Sequence, residues 1–442
     1  MEENAEKTWF KDVLVENCHI YQVTRTGLST NSSWWKRSKY SDFGDKIGED
    51  SNGNPVYDNW VPSQNVVFRN NRLEHIGGNG IIIRVADKPV IEKNYLYYCG
   101  EDISGNAAFC FNTDSALFQW NEACYTVYNE GDTDARGIDS DYRSKHTIIQ
   151  YNYLHNNGYG GVVATGGPGG ETSVPRFNVG TVIRYNILVN NKDHVFRTSG
   201  KLTNLSFYNN VIYSDDTLNN ITLVDHGSWR GASASGVYFH NNIFYILGNN
   251  PMFDFGESLH NYFSHNVFYG NHAINEPKGE AKITSDPQFI DPEEASNIDD
   301  LGGFKLQPES PCINTGKYLE GMPDKDFYGN PIGKTVDRGV YETGEEVGIE
   351  FEENEYDTQF RLFPNPAREQ VNMRLKGYRN SEITCSIIDM QGKILFEKQI
   401  LVGKHEFSFS LILDQNQFPN GLYFLRVKAD NRNTQKRKLI VL

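Results

Sequence analysis

The stretch IIQYNYLHNNGYGGVVAT, residues 148–165, places two short β-rich runs on either side of a turn made of Asn, Gly and His. Its first run carries an asparagine in the frame apolar-x-x-Asn-x-apolar, and that frame returns in VFRNNRL, IEKNYL, FQWNEA, IRYNIL, FYNNVI, HNNIF and SHNVF. The shared residues are Asn71, Asn94, Asn121, Asn152, Asn186, Asn210, Asn242 and Asn266, separated by 23 to 34 residues. VENCHIYQV has the look of an earlier, slightly offset copy around Asn17. Each copy leads through a turn into a second run, such as GIIIRV, AAFCF, GIDSDY, HVFRT, ITLVDH or MFDF. A unit of two or three such strands cannot bury its apolar face alone, so neighbours must stack. A parallel β-solenoid follows, with coils about 4.8 Å apart. The asparagines are expected at a corner, where they tolerate left-handed backbone and hydrogen-bond the equivalent amide one coil away.

The Asn-laddered coils resemble the right-handed parallel β-helix families of polysaccharide lyases and glycoside hydrolases. The run DPQFIDP…FKLQPESPCINTG…DKDFYGNP…VDRGVYE, residues 286–342, resembles the segment that closes many such helices. The resemblance covers about residues 11–342 and implies an all-β chain with a helix domain over 1–344, its closing segment at about 273–344. The chain starts inside a repeat without a capping segment, so an upstream part is expected to be missing. Residues 345–357, seven of them acidic, carry a linker signature. Beyond them, residues 358–442 spell a small antiparallel β-sandwich punctuated by Gly hairpins. FPNPA (363–367), DMQGK (389–393), NGLYFLRV (420–427) and the terminal KRKLIVL occur there in the order of a type IX secretion C-terminal sorting domain, which that segment resembles. The resemblance implies a Bacteroidetes-type bacterium, a secretion machinery as partner, and delivery to the outer surface or medium.

The 442 residues carry a net charge of −15, unevenly: residues 358–442 contribute +7 and the remainder −22. An acidic body disfavours nucleic acid, whose phosphates need Lys and Arg. No apolar run approaches the roughly 18–20 residues of a membrane span. The charged N-terminus MEENAEKTWFKDVLVEN has no signal-peptide core, so the chain is a mature or truncated piece or is not exported. Six cysteines show neither CxxC nor metal-ligand spacing and are expected as buried free thiols. A monomer is expected.

Chemistry concentrates in ARGIDSDYR, residues 135–143. Asp139 and Asp141, at i and i+2 of a strand, share a face, with Cβ atoms about 6.5–7 Å apart. Unpaired buried carboxylates are costly, so both should face outward while Ile138 and Ser140 turn in. Glycosidases use carboxyl pairs about 5–5.5 Å apart when retaining and about 6.5–9.5 Å apart when inverting. Two close like charges push one pKa up and keep one member protonated. A cation site, calcium among the candidates, or a solvated acidic patch is the plainer alternative; no ligand set is specified and no metal site is assigned. Glu130, Asp132, Asp134, Arg136 and Arg143 crowd the pair. Aligning the second runs adds Arg84, Thr165, Arg197, Asp225 and His226 to one wall, a groove for an extended sugar chain. Asp139, Asp141, Arg197 and His226 are the catalytic candidates. Arg197 would pin a substrate group or, with His226 as base, serve an eliminating lyase; shielding of neighbouring aspartates is its plain role. Tyr142, Trp229, Trp34 and Trp35 offer aromatic faces for pyranose stacking, or simply pack. ATGGPGGETS, residues 164–173, lacks a phosphate-loop ending and is expected as a corner insertion, and His155 as a structural histidine. A glycoside hydrolase is the first reading of this constellation, a polysaccharide lyase the second, a non-catalytic glycan-binding or adhesion protein the third.

Overall fold

The computed structural model describes residues 7–37, 46–49, 55–57, 59–131, 133–170, 176–293 and 295–343. In the C-terminal part it describes 359–363, 367–368, 370–376, 381–389, 393–402, 406–414, 417–419, 421–429 and 435–441. The linker expected at 345–357 and Asp132 lie outside the described residues. The chain divides into two compact units, Met1–Glu345 and Glu346–Leu442.

The first unit is a parallel β-helix of three walls. Wall 1 stacks Ile81–Asp87, Ala108–Asp114, Arg136–Ser140, Gly160–Thr165, His194–Ser199, Thr222–Gly227 and Met252–Asp254. Wall 2 runs from Lys11–Glu16 and Ser63–Arg69 to Leu259–Ser264, and wall 3 is a nine-stranded sheet from His19–Val23 to Val267–Gly270. Pairing between coils is parallel and in register: Ile138 sits on Val162, Leu154 on Leu188, Ile149 on Ile183. Those inward side chains fall in one continuous core of Ile, Leu, Val and Phe. Inside, like residues stack coil on coil, as Phe244 on Phe268 with ring centroids 5.0 Å apart.

The asparagine ladder stands at the corner between walls 2 and 3, and all eight members are buried. Each side-chain amide donates to the next carboxamide oxygen, from Asn71 to Asn94 at 3.0 Å through Asn152 to Asn186 at 2.9 Å to Asn242 and Asn266 at 2.9 Å. That oxygen also accepts the backbone N–H of the preceding ladder residue. The left-handed position expected for these asparagines belongs to the residue before each of them: Lys93 (φ 55°), Trp120 (φ 57°), Tyr151 (φ 56°) and Tyr185 (φ 50°) make the turn. The turn aims the following Asn side chain into the coil, where it caps backbone carbonyls such as those of Phe118 and Gln150. The copy at Asn17 is therefore in register: Asn17 (φ 56°) makes the turn and Cys18 occupies the ladder slot, donating its N–H to Asn71.

The segment expected to close the helix does more than cover its end. It adds bridges at Glu280 and Ile283 to the last coil, then packs Phe289, Leu301, Phe304, Phe327 and Val340 against Tyr153, Tyr185, Tyr213 and Ile243 along the outside of the ladder corner. Arg184 donates to the Gly321 carbonyl at 2.7 Å, and Asn209 to that of Gly339 at 2.8 Å.

The second unit is antiparallel. Gln359–Phe363, Gln370–Lys376 and Glu406–Ile412 form one sheet, and Ile394–Val402, Ser381–Ile388, Gly421–Ala429 and Gln435–Val441 the other. Met373, Leu375, Ile383, Ile387, Leu425 and Leu439 share its core. All six cysteines are free; Cys18 is exposed and the others are buried. Among the described residues no helix is long and apolar enough to cross a membrane.

Candidate active site on wall 1

Wall 1 carries a cavity of about 420 Å³ whose lining includes Asp134, Asp139, Asp141, Thr165, Arg197 and Trp229. Register explains the gathering. Phe109, Asp139, Val163, Arg197 and Asp225 form one column of successive coils, and Thr165, Ser199 and Gly227 form the column two residues on. Strand alternation turns Ile138 into the apolar core and Ser140 onto Thr181 and Asn178 at 3.2 and 3.1 Å. Asp139 and Asp141 consequently face the cavity.

The expectation of a solvated pair needs correction at Asp139, which is only 5% exposed, whereas Asp141, one residue past the strand, is half-buried. Burial, followed by the charges of Asp141 and Asp134, holds its carboxyl well above the usual range against the opposing pull of Arg136 and Thr165. Asp141 is pushed up to about 7, chiefly by burial and by Asp134, while the Tyr142 N–H, Arg176 and Arg143 favour its charge. That N–H donates to Asp141 Oδ1 at 2.7 Å, whereas Asp139 Oδ1 has no hydrogen-bond partner. Burial thus disfavours charge on both carboxyls, while the Tyr142 N–H favours the ionised form of Asp141 and nothing donates to Asp139 Oδ1.

Arg197 enters the cavity with its Nε 3.1 Å from Asp225, which is buried beneath it and does not line the cavity. A Cβ on Gly227 would stand 2.7 Å from an Arg197 terminal nitrogen, so glycine leaves room for the guanidinium. His194, which the sequence reading did not single out, completes this cluster 3.7 Å from Asp225 and 3.0 Å from Asp193. It opens the strand His194–Ser199, the run from which the sequence reading took Arg197 alone.

His226 is corrected. Because Asp225 points out, His226 points in, donating to or accepting from Thr198 Oγ1 at 2.7 Å among Phe196, Phe239 and Phe255. Burial depresses its pKa to about 4. It cannot reach a substrate in the cavity, and the elimination reading loses its base. Arg136 is also corrected: its side chain is fully buried, donates to the carbonyls of Thr133 and His194 at 3.3 and 3.0 Å, and lies 4.7 Å over Tyr159. It braces the turn that carries Asp134 and touches no solvent. Asp134 itself accepts from the Ser104 hydroxyl at 2.9 Å.

The aromatic faces are mostly taken. Arg143 lies 4.8 Å over Trp35 and 5.3 Å over Tyr142, and Arg176 lies 4.7 Å over Tyr142 and 5.2 Å over Trp229. Rings and guanidinia thus alternate, a geometry worth about 0.5–2 kcal/mol per contact. Trp34 is buried, and of the four aromatics expected to stack on sugar only Trp229 lines the cavity. Arg84 shares the wall, paired with Phe111, but lies outside the cavity. Nothing near Asn178 marked Arg176 in the sequence; its neighbours 171–175 lie outside the described residues.

Residues 361–442 match the family described as secretion system C-terminal sorting domain, which indicates export to the cell surface or beyond. The chain is 24% identical over 395 residues to a lacto-N-biosidase of Bifidobacterium longum subsp. longum, covering 79% of this chain and 23% of that protein. It thus spans about a quarter of the length of the curated relative it matches. Among solved structures it is similar to XylC in complex with xylose, at 13% identity and TM-score 0.43 over 76% of this chain and 60% of the other. It is similar also to the enzymatically active domain of a bacteriophage tailspike protein, at 9% identity and TM-score 0.29 over 97% and 65%.

Proposed function

We propose that this protein is an exported glycoside hydrolase that cleaves an oligosaccharide or polysaccharide with Asp139 and Asp141. The observation that carries the reading is a pair of carboxyls lining one cavity, both held above the usual carboxylate range by burial. Glycoside hydrolysis asks for a division of labour: one carboxyl protonates the departing oxygen while an ionised partner attacks the anomeric carbon or activates water. Asp139, buried and lacking a partner on Oδ1, is assigned the acid. Asp141, held by the Tyr142 N–H and near Arg143 and Arg176, is assigned the carboxylate. Arg197 orients a hydroxyl or carbonyl oxygen of the sugar, and Trp229 offers its ring edge to the pyranose. The name of the Bifidobacterium relative supports a glycosidase, and the occupied aromatic faces argue against a mere glycan binder. The sorting domain supports a type IX route.

The test is incubation of the purified chain with a panel of plant, algal and host glycans, following reducing ends and ultraviolet absorbance. Release of saturated sugar by the wild type and not by Asp139→Asn supports the assignment. An unsaturated, absorbing product would replace it with elimination.

A further inference from the structure

Wall 3 carries a second constellation, away from the carboxyl cavity. Glu122 and Cys124 alternate outward on the strand Glu122–Cys124, and the next coil seats His155 directly on Cys124. These residues are 6, 1 and 7% exposed, and one ligand atom from each lies within 4.8 Å of the other two. The closing segment covers them, its Ile298 N–H donating to Glu122 Oε2 at 2.9 Å.

His155 Nδ1 is 2.9 Å from the Asn156 carboxamide oxygen, and Nε2 is 3.3 Å from Glu122 Oε1. A sulfur, an imidazole nitrogen and a carboxylate oxygen therefore converge in one buried spot, the mixed donor set of a zinc-class site. A tetrahedron with bonds of about 2.1 Å has edges of about 3.4 Å, close to the Glu–His separation.

We propose that Glu122, Cys124 and His155 bind one transition-metal dication of the zinc class on wall 3, beneath the closing segment. Imidazole and thiolate select zinc-like ions over calcium. On binding, the Cys124 thiol gives its proton to solvent, and thiolate, carboxylate and dication sum to no net charge, as a buried site requires. The outer contacts suit a metal centre: Asn156 orients the ring, Ile298 holds the carboxylate, and the Tyr95 hydroxyl hydrogen-bonds the Cys124 sulfur. His155 also lines a cavity of about 530 Å³ beside Tyr125 and Tyr153.

The experiment is a cobalt(II) titration of the full chain carrying Cys18→Ser, which removes the exposed thiol. The expected result is a thiolate-to-cobalt absorption band that saturates at one ion per chain and disappears on adding zinc chloride. Cys124→Ser should abolish the band, and His155→Gln should weaken zinc binding at least ~10-fold. Absence of the band at one equivalent of cobalt, or its survival in Cys124→Ser, overturns the proposal. The first readout needs no variant at the site, so a misfolded substitution cannot obscure it.

Discussion

Replacing Asp141 by asparagine should make the helix more stable at pH 8 and leave it unchanged at pH 4. In the folded chain burial raises Asp141 from 3.8 to about 7. An unfolded chain restores the ordinary value, so between the two pKa values the folded state keeps a proton that the unfolded state releases. Stability therefore falls as pH rises from about 4 to about 7 and levels off above. A shift of about 3 units at 1.36 kcal/mol each is ~4 kcal/mol. Asn keeps an acceptor for the Tyr142 N–H, carries no charge, and relieves Asp139 of a like neighbour. Thermal melting of wild type and Asp141→Asn at both pH values reads the difference. For a unit of this size ~4 kcal/mol corresponds to several degrees in Tm at pH 8, shrinking toward zero at pH 4. A variant less stable than wild type at pH 8, or an equal gap at both pH values, would refute the burial argument.

Gly227→Ala should lower kcat/KM about 10-fold, equivalent to ~1.4 kcal/mol, with Tm nearly unchanged, because its methyl displaces the Arg197 guanidinium and little else; steady-state kinetics beside a melting curve checks it. His226→Gln should cost ~1–3 kcal/mol of stability by disturbing the buried Thr198 contact, while kcat/KM of the folded protein stays within a few fold; a large loss of turnover would put His226 back into the chemistry. Asn152→Ala removes the amide donor to Asn186, Phe118 and Gln150 and the acceptor for Asn121 at once, and should cost at least ~3 kcal/mol, seen as a fall in urea midpoint.

The fold was legible because a solenoid writes its period into the chain. Coil after coil from Asn71 to Asn266 repeats the ladder residue, and Asn is a side chain that can donate and accept along the stack. What the repeat frame obscured was direction: the turn residue sits one place before each Asn, as Tyr151 before Asn152 shows, and a polar tyrosine there carries no turn signature. The carboxyl pair was equally legible, since i and i+2 share a face in any strand. The same rule, applied to Asp225 and His226, already separates them, so the inward histidine could have been read from alternation alone. Burial of Arg136 and the Arg143–Tyr142–Arg176 stack depend on contacts between loops far apart in sequence, which no local pattern encodes. The Glu122, Cys124 and His155 trio was hidden for a related reason: its ligand spacing runs across coils and not along one strand.

The central claim is that Asp139 supplies the proton and Asp141 the negative charge in breaking a glycosidic bond. The most direct measurement compares the two Asn variants on a cleaved oligosaccharide and on an aryl glycoside of the same sugar, whose leaving group needs no proton. Asp139→Asn should lose most of its activity on the oligosaccharide and keep much of it on the aryl glycoside, while Asp141→Asn should fail on both. Turnover of the oligosaccharide at near wild-type rates by either variant would contradict the account.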